Sequence, residues 1–128
     1  MAATSYATPD ALWGSALPKV WNAQVQARLG DLALVLFLAA QGLDGALTYV
    51  GVVTFGIGVE ANPLIATLIG YLGAGAALTT AKGMAAILGI ALHLRGVHAA
   101  VAILTAFYFI VAVLPWLMIL FPEAVVRA

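Results

Sequence analysis

Asp44, Glu60 and Lys82 are side chains that ionise in water, set here among some of the most apolar sequence a protein can carry. They belong to one pattern: Asp44-x-x-x-Thr48, then Glu60-Ala61-Asn62-Pro63, then Lys82. On a helix, Gln41, Asp44 and Thr48 are spaced i, i+3, i+7 and form a single polar stripe, which Gly51 extends. A lipid-facing carboxylate near mid-membrane would cost at least about 2.5–3.5 kcal/mol, so the stripe must face protein or water. Two roles suit this set. Asp44, Glu60, Asn62 and Lys82 can form a proton or cation path, or an acid/base site for a lipid-soluble substrate, since intramembrane ionisable groups are functional candidates by default. Alternatively they form a latch, an ion pair plus a helix cap that fixes how helices pack. Spacing reveals no nucleophile–base pair, and no histidine or lysine is placed beside Thr48, so the latch is preferred.

His93 and His98 invite a haem or chlorophyll ligand reading, because imidazole is a common axial ligand. They lie five apart beside Arg95, which predicts rings pointing in different directions at the membrane surface. A dinuclear carboxylate site would need Glu-x-x-His pairs and zinc hydrolysis a His-Glu motif, and the sequence contains neither. With no cysteine, thiolate metal sites, iron–sulfur clusters and disulfides are excluded. No metal or cofactor is expected. Tyr71, Phe107, Tyr108, Phe109 and Trp116 could line a pocket for a hydrophobic ligand, although aromatics at helical spacing usually pack or form a membrane belt.

The elements that position these residues follow from composition. Of 128 residues, 65% are hydrophobic and 8% charged, and the mean hydropathy is +1.12, far outside the range of a water-soluble domain. A hydrocarbon core needs roughly 20 apolar residues per helical span, and several segments approach that length. Net charge is zero, with no basic run, so nothing points to nucleic acid or a polybasic lipid anchor. The first 30 residues lack a basic leader and the first long apolar run starts near Leu32, so a cleavable signal peptide is not expected.

Residues 1–30 read as an interfacial segment. Thr8-Pro9-Asp10 and Leu17-Pro18 look like helix starts, and from Pro18 to Leu29 the residues Val20, Trp21, Val25 and Leu29 share one side. That predicts an amphipathic helix at the membrane surface, anchored by Trp13 and Trp21. Asp31 then caps a first span, Leu32 to about Thr54, where Gly42 and Gly45 would admit a neighbouring helix. Phe55 to Val59 is a turn, and Asn62 with Pro63 opens the next helix. Glu60, just before that N-terminus, is favoured by the helix dipole.

The 33 residues from Pro63 to Arg95 must hold two apolar helices and a turn, so at least one segment is short, tilted or re-entrant. A turn at Gly73-Ala74-Gly75 brings Lys82 back towards Asp44 and Glu60. A turn at Thr79-Thr80 sends it to the opposite membrane face. Charge compensation favours the first arrangement. The positive-inside count favours the second, since Lys19, Arg28, Lys82 and Arg127 would then share one side against Arg95. The first is preferred. Lys82, Ala86, Gly89 and His93 share a face of the third helix, and Arg95-Gly96 turns into the last, whose Thr105 and Tyr108 lie on one side. Pro115 should kink that helix unless the freed carbonyl finds another partner.

The pattern Asp44, Thr48, Gly58, Glu60, Asn62, Pro63 and Lys82, with Tyr108 as a further match, resembles a group of small bacterial membrane proteins catalogued as a domain of unknown function. The resemblance spans roughly Gly30 to Leu114. It implies a compact bundle of three or four membrane helices and supplies no activity.

The expectation is therefore an all-α membrane protein, a small bundle of three to four transmembrane helices over 31–122 with the second segment short or re-entrant. An amphipathic segment over 1–30 precedes it and a short polar tail over 123–128 follows. Three functions fit: a non-enzymatic accessory subunit of a larger membrane complex, respiratory or photosynthetic in type; a proton, ion or small-molecule transport component using Asp44 and Lys82; and a membrane enzyme with Glu60 or Asp44 as general base. The first is preferred and an enzyme is the less favoured class. Expected partners are the bilayer and other membrane subunits, with a homo-oligomer open, and the expected location is the bacterial inner membrane.

Overall fold

The computed structural model describes residues 17–123, with side chains from Asn22 onward. Trp13, the Thr8-Pro9-Asp10 helix start and Arg127 lie outside these residues. The described chain is all-helical: α1 (Leu17–Phe55), α2 (Pro63–Leu72), α3 (Ala74–Leu94) and α4 (His98–Tyr108), the last running through a π-helical turn (Phe109–Val113) into α5 (Leu114–Leu120). Three stretches, Asn22–Phe55, Ala74–Leu94 and His98–Leu120, are long and apolar enough to cross a membrane. At 10 residues α2 extends only about 15 Å and cannot.

One expectation is corrected at the start of the chain. No break separates an interfacial helix from a first span: α1 is continuous through Gly30 and Asp31 for 39 residues, about 58 Å at helical rise. Asp31 is not a cap. Nothing between Leu17 and Phe55 interrupts the hydrogen-bond ladder, because the chain there contains no proline after Pro18.

The turns obey local chemistry. Gly56, at φ 87°, ends α1 and leads into a single 3-10 turn, Ile57–Val59. Gly73, at φ 78°, is the sole residue between α2 and α3, so the chain reverses where the Gly73-Ala74-Gly75 alternative places it. Gly96, at φ 73°, closes α3 in a Schellman arrangement: its N–H reaches the His93 carbonyl at 2.9 Å while Val97 N–H reaches Leu92 at 3.0 Å.

α1 is the central helix. Against α3 it runs antiparallel, with Asp31 beside His93, Phe37 on Gly89 and Asp44 on Lys82. Against α4–α5 it runs parallel, pairing Gly30 with His98, Phe37 with Tyr108 and Gly51 with Trp116. Thr105 Oγ1 donates to the Val101 carbonyl at 2.8 Å and lies 3.2 Å from that of Ala33, which puts Thr105 and Tyr108 on the α1 side as their spacing predicts. Two small apolar clusters complete the packing. Leu47, Val113 and Trp116 form one; Ile69, Ala77 and Leu78 form the other, joining α2 to α3 in antiparallel contact with Val52 of α1 at its edge.

Most large apolar side chains point outward, among them Val35, Val53, Leu64, Ile87, Leu88, Ile103 and Ile110, while Gln41, Asp44, Thr48 and Thr105 are buried. Where the surroundings are as apolar as the helix surface, association rests on close fit and interhelical hydrogen bonds. The fit is made by glycines. A Cβ added to Gly51 would overlap the Trp116 ring, one on Gly89 the Phe37 ring, and one on Gly30 the His98 imidazole. Gly45 faces the Lys82 stem, whereas Gly42 meets nothing within 4 Å and admits no neighbour, contrary to its expected role.

The helix widens just before Pro115: Leu114 N–H bonds to the Phe109 carbonyl, five residues back, and the proline stands in the first turn of α5. From the glycine seats we expect Gly51→Ala and Gly89→Ala each to lower the thermal midpoint in detergent, overpacking costing about 1–3 kcal/mol. Gly42→Ala should hold or raise it, since alanine is favoured over glycine inside a helix by roughly 0.5–1 kcal/mol. Equal sensitivity at all three positions would refute the assignment.

Candidate functional site

α1 presents Gln41, Asp44 and Thr48 on one stripe because they are helically spaced, and all three are buried, Asp44 being 4% exposed. Thr48 Oγ1 donates to Asp44 Oδ1 at 3.3 Å. The other carboxylate oxygen, Oδ2, is ion-paired with Lys82 Nζ of α3. The ammonium also lies over the Tyr108 ring, 5.2 Å from its centroid, a cation–π contact that ties α4 to the pair. Tyr108 is held in turn by an edge-to-face contact with Phe37 at 5.9 Å. Three helices thus converge on a single charge pair.

Glu60 and Asn62 reach the same place by a different route. Asn62 Oδ1 accepts from Leu64 N–H at 3.0 Å and Ile65 N–H at 3.4 Å, capping α2, and Pro63 occupies the first helical position as expected. The Glu60 carboxylate accepts the Asn62 N–H at 2.7 Å. α2 doubles back along α3 from Gly73; its roughly 15 Å brings Pro63 to about the depth of Lys82, which is roughly 12 Å along α3 from the same hinge. The N-terminus of α2 therefore opens within the bundle's depth, beside the ion pair.

A pocket of about 420 Å³ connects these groups. Asp44, Thr48, Lys82 and Tyr108 line one part and Glu60 and Asn62 another, with Leu78, Val111, Ala112 and Trp116 among the apolar walls. Its size falls in the range of small-molecule sites, apolar walls with a few convergent polar groups. Among the described residues no further cation lines it.

Gln41 stands apart. It is 2% exposed, and neither amide atom has a hydrogen-bond partner among the described residues. It borders a second, smaller recess of about 280 Å³ with Gly42, Gly45, Tyr49, Gly75 and Thr79, on which Lys82 also abuts.

His93 and His98 do not diverge. Their rings are 4.9 Å apart, because the Gly96 turn folds His98 back against α3. His93 Nε2 is 3.3 Å from Asp31 Oδ1, a second polar contact between α1 and α3, at the far end from α2. No group of three or more metal-binding side chains occurs among the described residues.

The sequence pattern thus contains Asp44, Thr48, Glu60, Asn62 and Lys82 of one site, with Gln41 adjoining it and the two histidines elsewhere. Two participants were less visible. Tyr108 beneath Lys82 is legible as a motif match and a candidate pocket aromatic but not as a cation partner, and Asp31 opposite His93 reads as a cap. Their signal was register: Lys82 to His93 and Asp44 to Asp31 span similar helical lengths in opposite directions. Of the aromatics, Phe107, Tyr108 and Trp116 line the pocket while Tyr71 and Phe109 do not. Compared with models of protein families, with curated proteins and with solved structures, the chain matches none.

Because Asp44 and Lys82 are largely buried, with side chains 6% and 18% exposed, removing one leaves the other unpaired. Asp44→Leu and Lys82→Met should each destabilise by about 3–5 kcal/mol, whereas the double replacement should recover most of the loss. A thermal double-mutant cycle in detergent measures this; strictly additive losses would show that the two do not act as a unit.

Proposed function

We propose that this chain is a small, non-catalytic integral membrane subunit of a larger membrane assembly, with the Asp44–Lys82 pair acting as the latch of its bundle. The observation that carries this reading is the mutual satisfaction of the buried charges. Asp44 holds Lys82 and Thr48, Lys82 lies over Tyr108, and the outer surface is left to large apolar side chains suited to lipid and to neighbouring helices.

The finer topology belongs to the same proposal. α1 is about twice as long as a hydrocarbon core is thick, so about half its length is in excess of the core, and its N-terminal part forms an amphipathic extension. α2 is a re-entrant half-helix. The motif residues Asp44, Thr48, Glu60, Asn62, Pro63 and Lys82 support membership of the group of small bacterial membrane proteins that they resemble, and hence an inner-membrane location.

Extraction from native membranes in mild detergent tests the reading. The protein should migrate with a particle much larger than itself and with defined companions; a clean monomer or homodimer would count decisively against an accessory role.

The pocket favours a second reading, a transport component using Asp44 and Lys82, because it reaches the ion pair from the N-terminus of a half-helix, an arrangement that transporters use at mid-membrane. On this reading Asp44→Asn abolishes flux in reconstituted vesicles while the helical signal persists; undiminished flux would remove it.

A further inference from the structure

Within the pocket the formal charges do not balance. Asp44 and Lys82 neutralise each other in direct contact, and Glu60 contributes one more carboxylate. Glu60 accepts a single backbone hydrogen bond, from Asn62, and no cationic side chain among the described residues pairs with it. The dipole of α2 favours a carboxylate at this point, yet a helix terminus supplies only about half a unit of charge. Glu60 is half-buried, and a carboxylate within an apolar bundle ordinarily has a partner.

We propose that the pocket binds a lipophilic organic monocation, an ammonium- or phosphonium-type centre within an apolar body, whose charge complements Glu60. Three features select this class. An anion would meet Glu60 and find Lys82 already engaged. A bare metal ion would need six or more oxygens converging at about 2.3–2.6 Å if calcium-like, whereas no group of three or more metal-binding side chains occurs among the described residues and Val59, Ile65, Val111 and Trp116 are part of the lining of this space of about 420 Å³. A neutral apolar molecule would fill the walls but leave the carboxylate uncompensated. Trp116 adds an aromatic ring to the lining, and aromatic rings favour quaternary cations. This site stands whether the chain works alone or as a subunit.

The experiment uses two ions of nearly the same shape and opposite charge, tetraphenylphosphonium and tetraphenylborate, in equilibrium dialysis against the purified protein in a non-ionic detergent. Saturable binding of the phosphonium is expected, at least tenfold tighter than that of the borate. Glu60→Gln keeps a carbonyl acceptor for the Asn62 N–H and should preserve the thermal midpoint while reducing phosphonium affinity tenfold or more. Ala112→Leu, which narrows the pocket from the π-helical turn without touching a charge, should weaken phosphonium binding as well. Equal binding of both ions, preference for the borate, no saturable binding of either, or a Glu60→Gln protein that binds as the parent does would each overturn the proposal.

Discussion

Asp44 and Lys82 constrain this fold more than any other pair, since each is acceptable within an apolar bundle only in the presence of the other. Separation of α1 from α3 would return two charges to surroundings that cannot solvate them, and even a slide of one helical turn would part them. The pair therefore sets a register as well as an attraction. Thr48 consumes the second oxygen of Asp44 and Tyr108 covers Lys82, so α4 is enlisted in the same contact. Such buried polar groups are best attested as devices that specify one arrangement over its neighbours, and here they distinguish between helices whose outer surfaces are largely apolar.

The remaining packing elaborates that register without charge. Phe37 on Gly89 and Trp116 on Gly51 are bulky rings seated where a partner has no side chain, and each lies along α1 away from Asp44, one in either direction. Glycine at these seats gives up helix propensity for proximity, a trade that suits a bundle lacking a strong hydrophobic drive between its helices. With His93 near Asp31 at the far end, α1 and α3 are pinned at three levels and cannot splay about the ion pair.

Much of this was legible because membranes simplify the code. Composition alone demanded helices, and the i, i+3, i+7 spacing of Gln41, Asp44 and Thr48 required a buried stripe. Charge compensation decided correctly between two turns that hydropathy could not separate, and Asn62-Pro63 marked a helix start that the structure caps as written. The expectations that failed did so for physical reasons. Asp31 has the side chain of a cap, but a cap matters only where the ladder ends, and no proline or turn ends it there. Gly42 and Gly45 looked alike on one helix, yet only the partner's position determines which glycine is approached. His93 and His98 were separated by helical phase, an argument that lapses once Gly96 interposes a reversal. Contacts across helices depend on relative rotation and depth, which a single strand of sequence encodes weakly.

The π-turn at Phe109–Val113 gives the last helix a joint in its phase. One additional residue in a turn rotates everything beyond it by about 100° relative to an uninterrupted α-helix, which repeats every 3.6 residues. In an uninterrupted helix Trp116 would share the phase of Thr105, eleven residues before it; the widened turn moves it towards the phase of Tyr108, and all three meet α1. The bulge works as a splice between two half-helices, letting the Thr105–Tyr108 half answer to the ion pair and the Trp116 half answer to Gly51.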